Sequence, residues 1–572
     1  MSEQQGFEES YDVVVVGSGA GGMAAALTAR AAGLSVLVVE KTDVFGGSTA
    51  VSGGAVWIPD NPHMAGVGHT DSREAVTTYL ARAVGNRART DLMTAFLDRG
   101  PEMVRFLETN TAVKLAARAY SPDYKPELEG ASFGGRTLDP VEFDGRRLGR
   151  WFDTLRRPIP QFLAAGGMMV NRKDIDALLG VAKDRAKARH AGGLLARYVR
   201  DRLTGWSRGT RLLMGNALAA MLLKSAVDAG IDLRRGTPVE ALLRGPTGRI
   251  TGVRLGGSQP RTVAARRAVV LATGGFPQSA TRRAEMLPHA SVHRSMAPAG
   301  NTGDGLSLAL SVGAALETEN LGPALWAPVS VLRENGRETV FPHLIMDRQK
   351  PGLVAVNSAG RRFVNEATSY HEFVAAMHRA HEAVPCIPAF LVVDHRFLRR
   401  YGLGAVRPAP YPIGRYRKAG YLIEAPTIAA LATKIGVPAD ALVQTVAQMN
   451  AAAAAGEDPL FQRGRSAYDR YLGDPTHGPN PCLGPIETPP FYAVAVWPGD
   501  IGTAAGLKVD TAARVLGADG RPIDGLYACG NDMNSIMAGT YPAAGITLGP
   551  ALTFGYIAGR TIADADAVDA AA

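Results

Sequence analysis

Cysteine is scarce: Cys386, Cys482 and Cys529 are the three in 572 residues, too few for a disulfide framework and too dispersed for a clustered metal site. Such usage suits a reducing compartment, so a cytoplasmic protein is expected. Long apolar runs are also missing. The Ala/Val stretches are broken by Gly, Arg or Asp before about 18 residues, the span of a membrane helix. The opening MSEQQGFEES is polar and acidic with no apolar core, so neither a membrane span nor a secretion signal is expected. Aromatics make up 7% and charged residues 20%, against 46% hydrophobic, which is globular usage and excludes disordered and fibrous classes. The formal charge is +9, but residues 172–211 alone hold eleven Lys/Arg and four Asp/Glu, leaving +2 for all the rest. That basicity is local and comes without an RNA- or DNA-binding signature, so no nucleic-acid partner is expected. At about 150 residues per domain the length admits four domains, and two or three larger ones are the working expectation.

What is present begins at residue 12. DVVVV is a short, β-branched apolar run, the pattern of a strand buried on both faces, and Gly17, Ser18, Gly19, Ala20, Gly21 and Gly22 follow at once. MAAALTARAAG then reads as a helix. In this G-x-G-x-x-G the first glycine permits a tight turn, the second lets backbone approach a pyrophosphate, and the third lets helix and strand pack closely. The helix N-terminus faces the phosphates. A second strand, LSVLVV, ends at Glu40, where a carboxylate can accept hydrogen bonds from an adenosine ribose. The unit is a dinucleotide site that either a nicotinamide or a flavin cofactor could use.

Three later segments bear on that choice. Lys41 to Gly54 is a small-residue loop, KTDVFGGSTAVSGG, suited to backbone contact along a long cofactor. AVVLATGGF around Ala272 to Phe276, and GLYACGND at Gly525 to Asp532, each end an apolar strand in glycine. Together with NTGDG (Asn301 to Gly305), these motifs resemble the FAD-binding fumarate reductase and 3-ketosteroid dehydrogenase group of flavoproteins. The resemblance implies an α/β fold: a Rossmann-like FAD-binding domain made from both ends of the chain, residues 1–286 and 487–572, with an α+β substrate domain inserted at 287–486. A basic helical insertion occupies about 172–211. The implied cofactor contacts are Gly17, Ser18, Gly19, Ala20, Gly21, Gly22, Glu40, Lys41, Gly47, Ser48, Thr49, Ser52, Gly53 and Gly54, then Ala272, Thr273, Gly274, Asp304, Gly530, Asn531, Gly545 and Leu548. In the succinate dehydrogenase branch a His near the Gly-rich loop carries the flavin covalently. Gly47 and Ser48 stand there in this chain, so non-covalent FAD is expected.

Reducing a dicarboxylate requires cations for its carboxylates and a proton donor at the double bond. The segment SIMAGTYPAAGITLGP (Ser535 to Pro550) contains no Arg, Lys or His. Such a site favours a neutral, apolar substrate presenting a carbonyl oxygen, which a phenol and a backbone N–H can polarise without burying an unpaired charge. TYPAAGITLGPALTFGYIAG is similar to the C-terminal motif of 3-ketosteroid Δ1-dehydrogenases, where a Tyr and a Gly four residues later bind the 3-oxo oxygen; here they are Tyr541 and Gly545. The family's base follows an RFVNE segment, which marks Tyr370. Its third Tyr precedes a Pro-Glu pair, which marks Tyr124, with Tyr120 as runner-up. The resemblance thus implies Δ1-dehydrogenation of a 3-ketosteroid, with an external acceptor such as a quinone. Alternatives are a Δ4-dehydrogenase of 5α-3-ketosteroids or another ketone-guided desaturase or enone reductase, because Ala543-Ala544 replaces the usual Gly-Pro. A fumarate-reductase-like electron-transfer flavoprotein is a further alternative.

Other features admit plainer readings. His289 with His293, and His378 with His381, have helical spacing but no metal motif, so surface or capping roles are expected and no metal. Trp57 is expected to close the core. Leu194, Leu195, Tyr198, Val199 and Leu203 recur among arginines as an amphipathic basic helix, expected to turn its apolar side to the domain, with peripheral docking on an anionic membrane as the alternative.

Overall fold

A computed structural model describes residues 7–181 and 184–569; the opening hexapeptide and Ala182–Lys183 of the basic insertion lie outside the described residues. In chain order the principal strands are Glu9–Val16 (β1), Val36–Val39 (β2), Asp232–Arg234 (β3), Val239–Arg244 (β4), Ile250–Leu255 (β5), Arg261–Leu271 (β6), Ala324–Glu334 (β7), Arg337–Pro342 (β8), Leu353–Val356 (β9), Ala389–Val393 (β10), Phe491–Thr503 (β11) and Pro522–Ala528 (β12). The helices that shape the site are Ala20–Ala31 (α1), Arg172–Leu179 (α2), Arg185–Leu203 (α3), Tyr370–His381 (α4), Ala467–Leu472 (α5) and Leu548–Asp569 (α6).

The first sheet runs β3-β2-β1-β6-β12, all parallel, and the hairpin β4-β5 adds to the early half of β6 antiparallel. Val13 to Val16 are buried because the sheet is covered on both faces, which explains the unbroken valine run. α1 is buried along nearly its whole length, and its alanines let the returning α6 approach closely. A Cβ added at Gly555 would stand 2.2 Å from the Gly21 carbonyl oxygen, so no side chain fits that crossing. The cofactor strand ends, at the C-termini of β1, β2, β6 and β12, therefore open together on one edge.

The main path of the second sheet runs β8-β7-β11-β10-β9, each pair antiparallel, and a short strand at Arg294–Ser295 adds to β11 in parallel. β11 lies beyond residue 486, where the return segment was expected to begin, yet it is hydrogen-bonded on both edges within this sheet. Its long apolar register, FYAVAV, is buried between β7 and β10. The crossing back to the first sheet comes only after Thr503.

The basic insertion docks through a small cluster of Met168, Val170 and Leu194 with Ile175, Leu178 and Tyr198. Ion pairs from Arg197 and Arg211 to Glu142 hold it to the body, and Arg211 also pairs with Asp174 within the insertion. Its apolar residues do not share one side, contrary to expectation. Leu194 and Tyr198 face the domain, while Leu195, Val199 and Leu203, at i, i+4 and i+8, are 41%, 53% and 82% exposed on another face of α3. Among the described residues no helix is long and apolar enough to cross a membrane.

Candidate active site

Between the sheets lies a cavity of about 1240 Å³. Single small-molecule sites run to roughly 1,000 Å³, so there is room here for a dinucleotide and a second molecule. Every expected cofactor residue lines it except Gly22. Gly22 has the packing role instead: a Cβ there would come within 2.3 Å of the Gly17 carbonyl oxygen. Gly17 itself has φ +112° and would strike Ala272 O at 2.2 Å, so β1 can turn beside β6 only with glycine. At Gly19 nothing lies closer than 3.8 Å, leaving that backbone open to the cavity.

The polar groups around this groove are mutually arranged. Glu40 accepts from Ser18 Oγ at 2.7 Å and from Thr42 Oγ1 at 2.8 Å, which fixes its carboxylate at the end of β2. Lys41 donates to Asp304 at 2.6 Å and to Thr302 at 2.5 Å, so Asp304 faces the cavity already paired. Asp532 is fully buried and accepts from Thr273 N, Thr273 Oγ1 and Gly275 N, tying the strand ends of β6 and β12 together. Asp532 is thus a structural carboxylate at the junction of the two strands. One residue escaped the sequence reading. Arg156 lines the cavity beside Glu40, donates to Thr42 Oγ1 at 3.0 Å, and has a buried Nε without a partner among the described residues. An unsatisfied guanidinium next to glycine backbone at a helix N-terminus fits a cofactor bearing a pyrophosphate. No motif surrounds Arg156, so only the fold could bring it there.

At the other end of the cavity three expected tyrosines converge from three separate segments. Tyr124 comes from the 118–136 loop, Tyr370 from the first turn of α4, and Tyr541 from the strap before α6. Tyr124 donates to Tyr370 Oη at 3.2 Å, its ring stacks on Tyr541 with centroids 5.5 Å apart, and Tyr370 meets Tyr541 edge-on at 5.2 Å. Tyr120, the runner-up, is 51% exposed and packs on Tyr471, away from this group. The Tyr124 loop is pinned by Asp123, buried beneath it, which accepts from Trp57 Nε1, Ser132 N and Arg136 Nη1. Trp57 is wholly buried and stacked on Phe96, closing the core. Gly545 has φ +101°, and its carbonyl accepts from Trp57 N. Its N–H is taken up by no backbone carbonyl among the described residues, and it lines the cavity with Tyr541.

Burial dominates the electrostatics. It raises Tyr370 well above an ordinary phenol, with the neighbouring Tyr124 and Tyr541 adding to the effect, and it raises Tyr541 likewise. His371, next to Tyr370, is pushed down to about 4 by burial and accepts from Trp326 N at 3.2 Å, so it is a neutral wall of the site rather than an acid. Two further neighbours were missed, one aromatic and one cationic. Tyr468 of α5 lies with its ring centroid 4.6 Å from that of Tyr124, and Arg348 lies near it. Of the histidines expected in surface or capping roles, His289 is exposed and His381 Nδ1 accepts from Cys386 N just past α4, but His293 departs from that reading. His293 is fully buried and paired to Asp500 of β11 at 2.5 Å, while His289 stacks on His378 and meets His381 from another segment. Among the described residues no group of His, Cys, Asp or Glu is arranged to hold a metal ion.

Comparison with known proteins places this geometry. The profile of the FAD-binding domain family matches residues 12–548. The chain is 39% identical over 555 residues to a 4-oxocyclohex-2-ene-1-carboxylate 5-dehydrogenase of Sinomonas cyclohexanicum, covering 96% of this chain and 93% of the relative. It is 38% identical over 571 residues to a 3-oxosteroid 1-dehydrogenase of Mycobacterium tuberculosis, covering 97% and 99%. Its fold matches the crystal structure of a 3-ketosteroid Δ1-dehydrogenase from Sterolibacterium denitrificans in complex with 1,4-androstadiene-3,17-dione, with a TM-score of 0.90, 38% identity, and 97% and 100% of the two chains covered.

Proposed function

The chain belongs to the FAD-binding domain family, and we propose that within it the protein is an FAD-dependent 3-ketosteroid Δ1-dehydrogenase, with the cofactor held non-covalently. The convergence of Tyr541, Gly545, Tyr370 and Tyr124 on one stretch of a single cavity carries this reading. FAD bound along the glycine-lined half supplies the two-electron acceptor for the hydrogen leaving C1. The chain does the rest. Tyr541 Oη and Gly545 N–H donate to the 3-oxo oxygen, drawing electron density from C2 and acidifying its proton. Tyr370, hydrogen-bonded to Tyr124, stands where that proton departs. The buried walls exclude water from the enolate-like charge that develops.

A second reading follows from the relative that acts on a 4-oxocyclohexene carboxylate, a small ring bearing an anion. Such a substrate needs a free cation close to its ketone. Arg118 is the cation facing Tyr124, and it is bound bidentately to Asp139 at 2.8 and 2.7 Å. The cavity also continues past the tyrosines along Phe162, Leu163, Val170, Ile175, Leu178 and Phe341, an apolar length that a single ring leaves empty. Both features favour the steroid. The test is anaerobic mixing of the yellow holoprotein with a 4-ene-3-ketosteroid, a 5α-reduced 3-ketosteroid and 4-oxocyclohexanecarboxylate in turn. Flavin bleaching by the first with a new C1–C2 double bond supports the proposal. Bleaching by the second alone moves the chemistry to C4–C5, and by the third alone replaces the steroid with the small keto acid.

The electrons then pass to an external acceptor such as a quinone. The outward apolar stripe of α3 lies beside Arg185, Arg200 and Arg202, and α2 borders the cavity through Ile175 and Leu178. This pairing suits peripheral contact with an anionic membrane, from which a sterol-like substrate enters. Salt-sensitive flotation with anionic liposomes, weakened by Leu203→Glu, is the expected result; no flotation at low salt removes the membrane from the scheme.

A further inference from the structure

A steroid that offers its ketone to Tyr541 and Gly545 has a second end to place. Tyr370 and Tyr541 are buried, whereas Tyr120, Ile345, Met346 and Tyr411 line the same cavity and are exposed, so they mark its rim. The apolar stretch that receives the rings includes Leu163 and Val170, and two arginines stand beside it. The Arg407 guanidinium donates to Leu163 O at 3.3 Å and lies over the Tyr411 ring at 5.4 Å, which sets it between that stretch and the rim. Arg172 lines the cavity two residues beyond Val170, in the first turn of α2.

Charge at this rim is not balanced. Of the charged residues that line the cavity away from its glycine-lined half, Arg118 is paired with Asp139, and Arg415 lies 4.0 Å from Glu334 and donates to Tyr416 Oη at 3.1 Å. Arg172 and Arg407 are left over. Among the described residues neither forms an ion pair, and the bond to Leu163 O is the one hydrogen bond of the Arg407 guanidinium, a group with five N–H donors. The acids nearest Arg172 in the chain are engaged elsewhere, Asp174 by Arg211 and His190 and Asp176 by Lys187. Two positive charges therefore line the cavity with no carboxylate among the described residues to answer them.

We propose that Arg407, with Arg172, forms a subsite for an anion at the far end of the substrate, so that the steroid this site prefers carries a C17 side chain ending in a carboxylate. This rests on the ketone-dehydrogenase reading above. A guanidinium offers paired N–H groups that match the two oxygens of a carboxylate, and the contacts with Tyr411 and Leu163 O hold Arg407 in place without neutralising it. In a steroid the C3 ketone and the C17 side chain lie at opposite ends of a rigid nucleus, so the tyrosines take one end and the rim takes the other. An uncharged tail leaves both arginines to water. The carboxylate of a single-ring keto acid stays near the tyrosines, where Arg118 is already paired.

The test compares 3-oxochol-4-en-24-oic acid with its methyl ester, which has the same nucleus and tail but no charge, on the full-length holoprotein. In the wild type kcat/KM for the acid should exceed that for the ester by about threefold to thirtyfold, mostly through KM, since the rim is partly exposed. The ratio should narrow as ionic strength is raised. Arg407→Gln should bring it to within about twofold of unity, and Arg407→Lys, which keeps the charge but not the fork, should leave an intermediate value. Arg417→Gln, at an exposed arginine of the same segment that pairs with Glu424 and does not line the cavity, should leave the ratio as it is. A wild-type ratio near one, or a preference for the acid that survives Arg407→Gln, overturns the proposal. Binding of the same two compounds to the oxidised holoprotein, read from the flavin spectrum, measures the preference without turnover. If no ketone reduces the flavin the parent reading fails, whereas binding still decides the subsite: equal affinity for acid and ester overturns it, and a preference abolished by Arg407→Gln upholds it.

Discussion

Gly545→Ala isolates one donor to the ketone oxygen. At φ +101° an L side chain is strained by about 1–2 kcal/mol. The new methyl would also sit 2.6 Å from Trp57 N and 2.8 Å from Ala55 C and O, all backbone, so the strap must move rather than a side chain. Trp57 N donates to Gly545 O at 3.1 Å, and Gly549 N to the same oxygen at 2.9 Å, which leaves the strap little freedom to give without turning the Gly545 N–H away from the cavity. Loss of one oxyanion donor costs roughly 2.7–4 kcal/mol of transition-state stabilisation, or 10²–10³ in kcat. That is the expected loss, with KM for the steroid changed much less, measured on protein whose flavin content matches wild type. Tyr541→Phe removes the partner donor and should fall in the same range, and the double variant should lose less than the product of the two because both act on one oxygen. A flavin-loaded Gly545→Ala enzyme with kcat within about threefold of wild type would refute the assignment of that N–H.

Tyr370→Phe should lower kcat by about 10²–10⁴-fold with steroid binding retained, measured by the spectral shift on adding product, and Tyr124→Phe should cost less because it removes a relay and not the base. Asp532→Ala removes three hydrogen bonds that fix the ends of β6 and β12, so the purified variant should carry less FAD and recover colour only at high added cofactor, by fluorimetric titration. His371 gives a pH signature. With its folded value near 4 against an unfolded value near 6.5, the folded and unfolded chains bind protons alike above 6.5. As pH falls from 6.5 to 4 only the unfolded chain takes up the proton, so about 3 kcal/mol of stability is lost across that window and no more below it. His371→Gln, compared with wild type by urea unfolding at several pH values, should flatten the slope there; parallel slopes would show that His371 is protonated in the fold.

Much of this was legible in the sequence wherever chemistry imposed a local pattern. The valine run, the glycine fingerprint and Glu40 sit within one supersecondary unit, and the backbone geometry at Gly17 and Gly22 is what the pattern requires. The three tyrosines were legible for a different reason. Each stands next to a local signature, Pro-Glu, RFVNE or the Tyr-Pro strap, although nothing in those segments says that they meet. The pairing of β11, just past the boundary expected at 486, was not legible because the strand reads as apolar wherever it pairs, and its register with β7 and β10 is a non-local fact. α3 was misread for a related reason: five apolar residues at helical spacing imply one stripe only if that stripe is continuous, and the Leu194–Tyr198 pair is centred about a third of a turn from the row Leu195, Val199 and Leu203.

The residues that stayed hidden have something in common that bears on mechanism. Arg156 and Tyr468 belong to no motif, yet each lines the cavity with a buried polar atom that its own surroundings leave without a partner among the described residues. Leaving a buried polar group unpaired costs on the order of 1–3 kcal/mol, so one that lines a cavity marks a place where a ligand can supply the partner. By that argument the cofactor's phosphates answer Arg156. Tyr468 Oη is the other such group, its ring packed on Tyr124, and a Tyr468→Phe variant that binds steroid product as tightly as wild type would show that no ligand supplies its partner.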